Sequence, residues 1–190
     1  MNSLFAAALL LSTPAFAGLS SRPAADESPV GAPMEGLYAG LSAGGALIIL
    51  DFGNTFGYDF EGRLGYSFNP GLQIFLSGAV DGGTIVGAPF RSEIIAAFVQ
   101  YHLYARPRLG VYARAGIGAA LSSTVPTSSG FNGSAVGLAT AGGLGVEIAI
   151  GPGLFLTPEL FYKNASLSLN NGGGGTTEQV LGLQLALIFY

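Results

Sequence analysis

Residues 181–190 read Leu181-Gly182-Leu183-Gln184-Leu185-Ala186-Leu187-Ile188-Phe189-Tyr190. In an extended chain Leu181, Leu183, Leu185, Leu187 and Phe189 fall on one side. Gly182, Gln184 and Ala186 fall on the other. A period of two with one wholly apolar face is a strand pattern, because a helix would scatter these residues round its circumference.

The same alternation recurs upstream and predicts seven more strands. The first runs from Gly36 to Ala46 and the second from Phe56 to Phe68. The third spans Leu72 to Val80, the fourth about Phe90 to Leu103, and the fifth Leu109 to Leu121. The sixth covers Val136 to Ile150 and the seventh Leu154 to Ser166. Asn69-Pro70-Gly71, Ala105-Arg106-Pro107-Arg108 and Gly151-Pro152-Gly153 read as tight turns. The alternate connections read as longer loops rich in Gly, Ser, Thr and Asn, the longest being Ser122 to Ala135 and Leu167 to Gln179. Pro158 lacks a backbone donor, so a bulge or a weakened ladder bond is expected there.

Composition says what kind of sheet this is. Charged residues are 9% of the chain, far below the usual ~25%. Mean hydropathy is +0.52, yet no apolar run of the ~20 residues that a spanning helix needs follows the N-terminal leader. A closed barrel is the one sheet architecture that lipid accepts, since every backbone donor and acceptor is paired around the ring. The fold class read from the sequence is therefore all-β, an eight-stranded antiparallel up-and-down transmembrane β-barrel over residues 36–190. The chain has no cysteine, so disulfides and thiolate metal sites are excluded. A net charge of −4 argues against nucleic acid as a partner.

Charge placement orients the wall. Glu61, Arg63, Arg114, Glu147, Glu159 and Lys163 all lie opposite the bulky apolar rows. A charge on the lipid face near mid-membrane costs roughly 2–4 kcal/mol, so the apolar face is the outer one and these six charges form an expected ion network in the lumen. Glu61, Arg63, Arg114 and Glu159 fall near its middle. Removing one partner of such a network costs about 3–5 kcal/mol. Tyr66, Phe68, Tyr101 and Phe189 collect toward the turn end, and Tyr58, Phe60 and Tyr162 toward the loop end. Two such belts match the headgroup zones, where amphipathic rings sit between oil and water.

The N-terminus reads as a cleavable secretory signal peptide over residues 1–17. An apolar run (residues 4–11) is broken by Ser12-Thr13-Pro14, and Ala15-Phe16-Ala17 forms a small-x-small cleavage site. No Lys or Arg precedes the apolar run, which is atypical. Residues 18–35, aperiodic and rich in Ser, Pro, Ala, Asp and Glu, read as a flexible lead-in.

Gly36-Leu37-Tyr38-Ala39-Gly40-Leu41, Gly62-Arg63-Leu64-Gly65-Tyr66 and Thr157-Pro158-Glu159-Leu160, together with the terminal strand, resemble the OmpA/OmpX-type eight-stranded outer-membrane barrels. The resemblance covers residues 36–190. It implies a Gram-negative outer membrane with both termini in the periplasm, and contact with outer-membrane lipid and lipopolysaccharide. It also implies insertion by a barrel-assembly machinery that reads Leu183, Leu185, Leu187, Phe189 and Tyr190, a monomeric state, and loops open to an extracellular partner. One departure is visible: family members usually carry the last aromatic on the outer face, where Phe189 lies, and Tyr190 is one residue beyond it.

Function reads as structural or interaction-based. The alternative is a narrow porin-like channel along the inward Gly116, Gly118, Gly137, Ala139, Ala141, Gly143 and Gly145, unless those small residues simply make room for Phe75, Phe98 and Tyr112. A lipid-modifying enzyme is the third reading, and the residues give it no constellation. His102, the single histidine, faces inward near a turn with no serine partner, so no catalytic, metal-binding or cofactor-binding residue is assigned. Gly142-Gly143-Leu144-Gly145 is no nucleotide loop, because no helix follows it.

Overall fold

The computed structural model describes residues 35–51, 53–69, 71–85, 87–106, 108–127, 130–169 and 175–190. The predicted leader and nearly all of the lead-in lie outside them. Eight strands follow one another: β1 (Gly36–Leu50), β2 (Gly53–Asn69), β3 (Leu72–Ile85), β4 (Ala88–Arg106), β5 (Leu109–Thr127), β6 (Gly130–Gly151), β7 (Leu154–Leu169) and β8 (Gly175–Phe189). Each pairs antiparallel with its sequence neighbours, and β8 pairs with β1, which closes the barrel.

Register fixes the shape. Paired residues lead round the ring from Gly40 through Arg63, Ser77, Ala96, Gly118, Ala139, Ala165 and Glu178 to Leu50, ten residues further along β1. Such an offset forces the strands to tilt by roughly 35–45° to the barrel axis. The tilt brings residues far apart in sequence to one height inside the lumen.

The alternation is carried through as burial. On β8 Leu181, Leu183, Leu185, Leu187 and Phe189 are exposed, while Val180, Gln184, Ala186 and Ile188 are buried. Two apolar clusters fill parts of the interior. One is centred on Tyr38, Phe75, Phe98, Phe155 and Ile188. The other, built from Ile48, Leu50, Ile85, Phe90, Phe161 and Val180, lies at the end where β1, β3 and β7 finish. That end is called the loop side below, and the end carrying both β1 start and β8 finish the turn side.

The long loops expected at Ser122–Ala135 and Leu167–Gln179 are corrected. β5 continues to Thr127 and β6 restarts at Gly130, with Val125 opposite Gly133 and Thr127 opposite Gly130. β7 runs to Leu169 and β8 begins at Gly175. Beyond the bilayer neither face of a strand meets oil, so the chain keeps its ladder while losing the apolar alternation that marks it in the sequence. The loop side is thus a rim of prolonged strands. At Pro158 the weaker of the two expected outcomes holds. The β6–β7 pairing stops at Gly145↔Glu159 and resumes in the same register at Ile148↔Leu156, as a missing donor requires without an inserted residue.

Candidate functional site

The lumen presents its polar side chains in layers. At mid-height the Arg114 guanidinium meets Glu61 in a fork, Nη1 donating to Oε1 at 2.6 Å and Nη2 to Oε2 at 2.8 Å. Arg114 Nη2 also contacts Glu159 Oε1. Arg63 bridges the same two acids, 3.5 Å from Glu61 and 3.4 Å from Glu159. The Tyr112 hydroxyl donates to Glu159. Gln184 Nε2 donates to Glu159 Oε1 at 2.9 Å and to Glu61 Oε2 at 3.4 Å, and Gln184 Oε1 accepts from Ser42 at 2.9 Å. Two acids and two bases cancel, and all four are buried. The members come from β1, β2, β5, β7 and β8, so the cluster ties opposite walls and both sides of the closing seam.

Aromatic rings pack beneath these charges. Phe75 and Phe98 stack with centroids 5.0 Å apart and planes 3° apart. The Arg114 guanidinium carbon sits 4.7 Å from the Phe98 centroid, and that of Arg63 5.5 Å from Phe75. Such contacts favour the charged form of an arginine where water is scarce.

Of the six charges read as one network, the structure brings four together and separates two. Lys163 lies nearer the loop side and pairs with Asp59 and, at 3.1 Å, with Asp81. Its ammonium stands 4.8 Å from the Phe161 centroid. Glu147 lies at the turn side, where it meets His102 Nε2 at 3.0 Å and accepts from Gln100 Nε2 at 3.2 Å. Asp81 and Glu178 were outside the reading because both lie beyond the predicted ends of their strands. Their parity with inward Gln73 and Gln184 is the signal that would have placed them.

The inward glycines are not open space. A Cβ on Gly116 would come within 2.7 Å of the Phe98 ring, and one on Gly143 within 2.8 Å of Glu159 Oε1. One on Gly145 would collide with the Tyr112 ring, and one on Gly137 with the Ser166 carbonyl. Missing side chains let Phe98, Tyr112 and the central ion cluster cross the lumen.

Tyr190 turns inward, unlike the outward Leu183, Leu185, Leu187 and Phe189. Its ring packs between Tyr38, with centroids 5.3 Å apart, and Phe155, 5.2 Å away. Its hydroxyl accepts from Gln73 Nε2 at 2.6 Å and reaches Glu147 Oε1 at 3.4 Å. Phe189 thus keeps the outer face, and Tyr190, one residue beyond it, packs into the turn-side end of the bore. Tyr190→Ala should lower stability by about 2 kcal/mol, from lost ring packing and an orphaned Gln73 amide. Urea midpoints of the folded barrel in detergent check this, and an unchanged midpoint would refute it.

Tyr58, Phe60, Tyr66, Phe68, Tyr101, Tyr162 and Phe189 are all exposed on the outer wall. Tyr58 and Phe60 form one ring pair at 5.6 Å, and Tyr66 and Phe68 another at 4.9 Å. His102 is buried against the Tyr112 ring.

Solved structures share this architecture. Neisserial surface protein A is 16% identical, with a TM-score of 0.68 over 80% of this chain and 96% of that one. The outer membrane protein OprG from Pseudomonas aeruginosa is 12% identical, with a TM-score of 0.50 over 82% and 97%. AlkL, solved in DMPC bilayers, is 14% identical, with a TM-score of 0.50 over 88% and 95%. Identities this low establish the fold alone. No curated protein matches the sequence. Residues 3–189 match the outer membrane protein beta-barrel domain, and the chain belongs to that family.

Proposed function

We propose that this outer-membrane barrel is a structural and interaction protein, anchored by its wall, closed in its lumen and open to partners at its loop-side rim. The observation that supports this most is the side-chain filling of the bore. Tyr190, Tyr38 and Phe155 lie at the turn side, the Arg–Glu cluster on stacked Phe75 and Phe98 at mid-height, and Phe161 with Lys163, Asp59 and Asp81 above. An eight-stranded barrel has a bore only about as wide as its own side chains, so layers of this kind act as a plug.

A cleaved leader over residues 1–17 would deliver the chain across the inner membrane, and the Leu183, Leu185, Leu187 and Phe189 face would engage the assembly machinery. Lipid and lipopolysaccharide would surround the monomer, with any extracellular partner meeting the prolonged strands. The role is non-catalytic in this reading: His102 engages Glu147 and packs on the Tyr112 ring.

Planar-bilayer recording of the purified barrel tests the closed lumen. We expect no discrete current steps. Discrete steps that disappear when bulk is added at Gly143 or Gly116 would make the protein a narrow pore instead. Turnover of labelled lipid A would make it an enzyme.

A further inference from the structure

Glu178 is buried at the loop-side end of the lumen, 1% exposed; no cation or amide meets its carboxyl oxygens, and the Ser92 hydroxyl, short of a well-formed hydrogen bond, is the donor beside them. It is the exception among the described buried carboxyls. Glu61, Glu147, Glu159, Asp59 and Asp81 each hold a cation, an amide or a hydroxyl. Its ladder partner on β1 is Leu50, and Leu50, Ile48, Ile85, Phe90 and Val180 form the apolar cap at this end.

The site lies beyond the oily band of the outer wall. Thr177 and Gln179 flank Glu178 on the outer face, and its β7 ladder partner Ala165 is flanked by Asn164 and Ser166. Water is therefore close by, on the far side of a few apolar side chains. A buried carboxyl with no partner is tolerated as the neutral acid and costly as the anion.

We propose that Glu178 is a proton-binding site that controls the loop-side cap: neutral, it lies closed beneath Leu50, Ile85 and Phe90, and ionised, it draws water in and loosens the rim. No facing group removes this dependence. β7 offers Lys163, but Asp59 of β2 and Asp81 of β3 already hold its ammonium. β4 offers the Ser92 hydroxyl, a neutral donor whose hydrogen bonding is weaker than the effect of burial, and β5 offers Ser122. β1 and β6 present Ile48, Leu50, Ala135 and Ala139. Asp51, in the β1–β2 turn, accepts from Thr176 Oγ1 and the Thr177 amide, so it anchors the strand beside Glu178 without reaching its carboxyl as a donor could.

Burial accordingly pushes the Glu178 carboxyl up from its ordinary 4.5 to about 7, against weaker opposing effects of Ser92 and Lys163. An acid with a raised pKa in the closed form binds more protons closed than open. Closure is therefore complete at low pH, weakens as pH climbs from about 4.5, and stops weakening above about 7.

Hydrogen exchange of the full barrel in detergent micelles tests this, read at rim amides near Leu50, Ile85 and Phe90. After correction for intrinsic exchange, the opening equilibrium should rise between about pH 5 and about pH 8 by up to about seventyfold, the linkage limit for this shift. Glu178→Gln should abolish the rise. His102→Gln, at the opposite end, should keep it. A flat profile in the unaltered protein, or the same rise in Glu178→Gln, would overturn the proposal. Should Glu178→Gln fail to fold, infrared spectra of the unaltered protein carrying 13C-carboxyl glutamate decide: an isotope-shifted protonated-carboxyl band should persist at about pH 6 and vanish by about pH 8. Its absence at about pH 6 would equally overturn the proposal.

Discussion

Arg114→Leu is expected to destabilise the barrel by about 3–5 kcal/mol, because it leaves Glu61 and Glu159 buried with Arg63 as their one remaining cation. Arg114 supplies both short bonds to Glu61. Arg63 stands 3.4–3.5 Å from each acid and cannot neutralise two carboxylates at once. The leucine also removes the cation from above the Phe98 ring. Denaturant midpoints read by heat-modifiable gel mobility measure the loss. The double variant Arg114→Leu/Glu61→Gln leaves one cation with one anion, Arg63 with Glu159, and should recover most of it. A loss below about 1 kcal/mol in the single variant would mean that the cluster is well hydrated, as exposed ion pairs are.

Leu183→Arg should cost roughly 2–4 kcal/mol and hinder folding into bilayers, through the opposite mechanism. Leu183 is 66% exposed on the outer wall, level with the middle of β1 through its partner Gly45. The arginine would meet hydrocarbon rather than the polar lumen on the opposite face of the same strand. Leu109→Arg is the control. Leu109 is also outward but opens β5 beside the turn-side rim, where the charge can reach the interface at a cost of about 0–1 kcal/mol. Equal penalties at both positions, measured by folding into vesicles, would contradict the inside-outside assignment of the wall.

The strands were legible where one face meets lipid, since oil on one side and polar groups on the other leave a period of two in the sequence. Beyond the bilayer that contrast vanishes, and β3, β5, β6, β7 and β8 all run past their apparent ends. Asp81 and Glu178 lie past those ends, although Glu178 is the least satisfied buried carboxyl among the described residues. Tyr190 has the inward parity of Gln184, Ala186 and Ile188, but counting could not show that its ring meets Tyr38 and Phe155 and its hydroxyl Gln73.

Sequence alone determined that this chain forms an all-β membrane barrel, which residues face inward, and that the inward face carries ions, because each of these depends only on parity along a strand. Which inward residues meet was decided by tertiary structure. Closing the ring with a ten-residue offset lifts each strand relative to the last, so Glu61 and Arg114 share a level while Lys163 and Glu147 part to opposite ends. That offset is a property of all eight strands together, and no single strand encodes it.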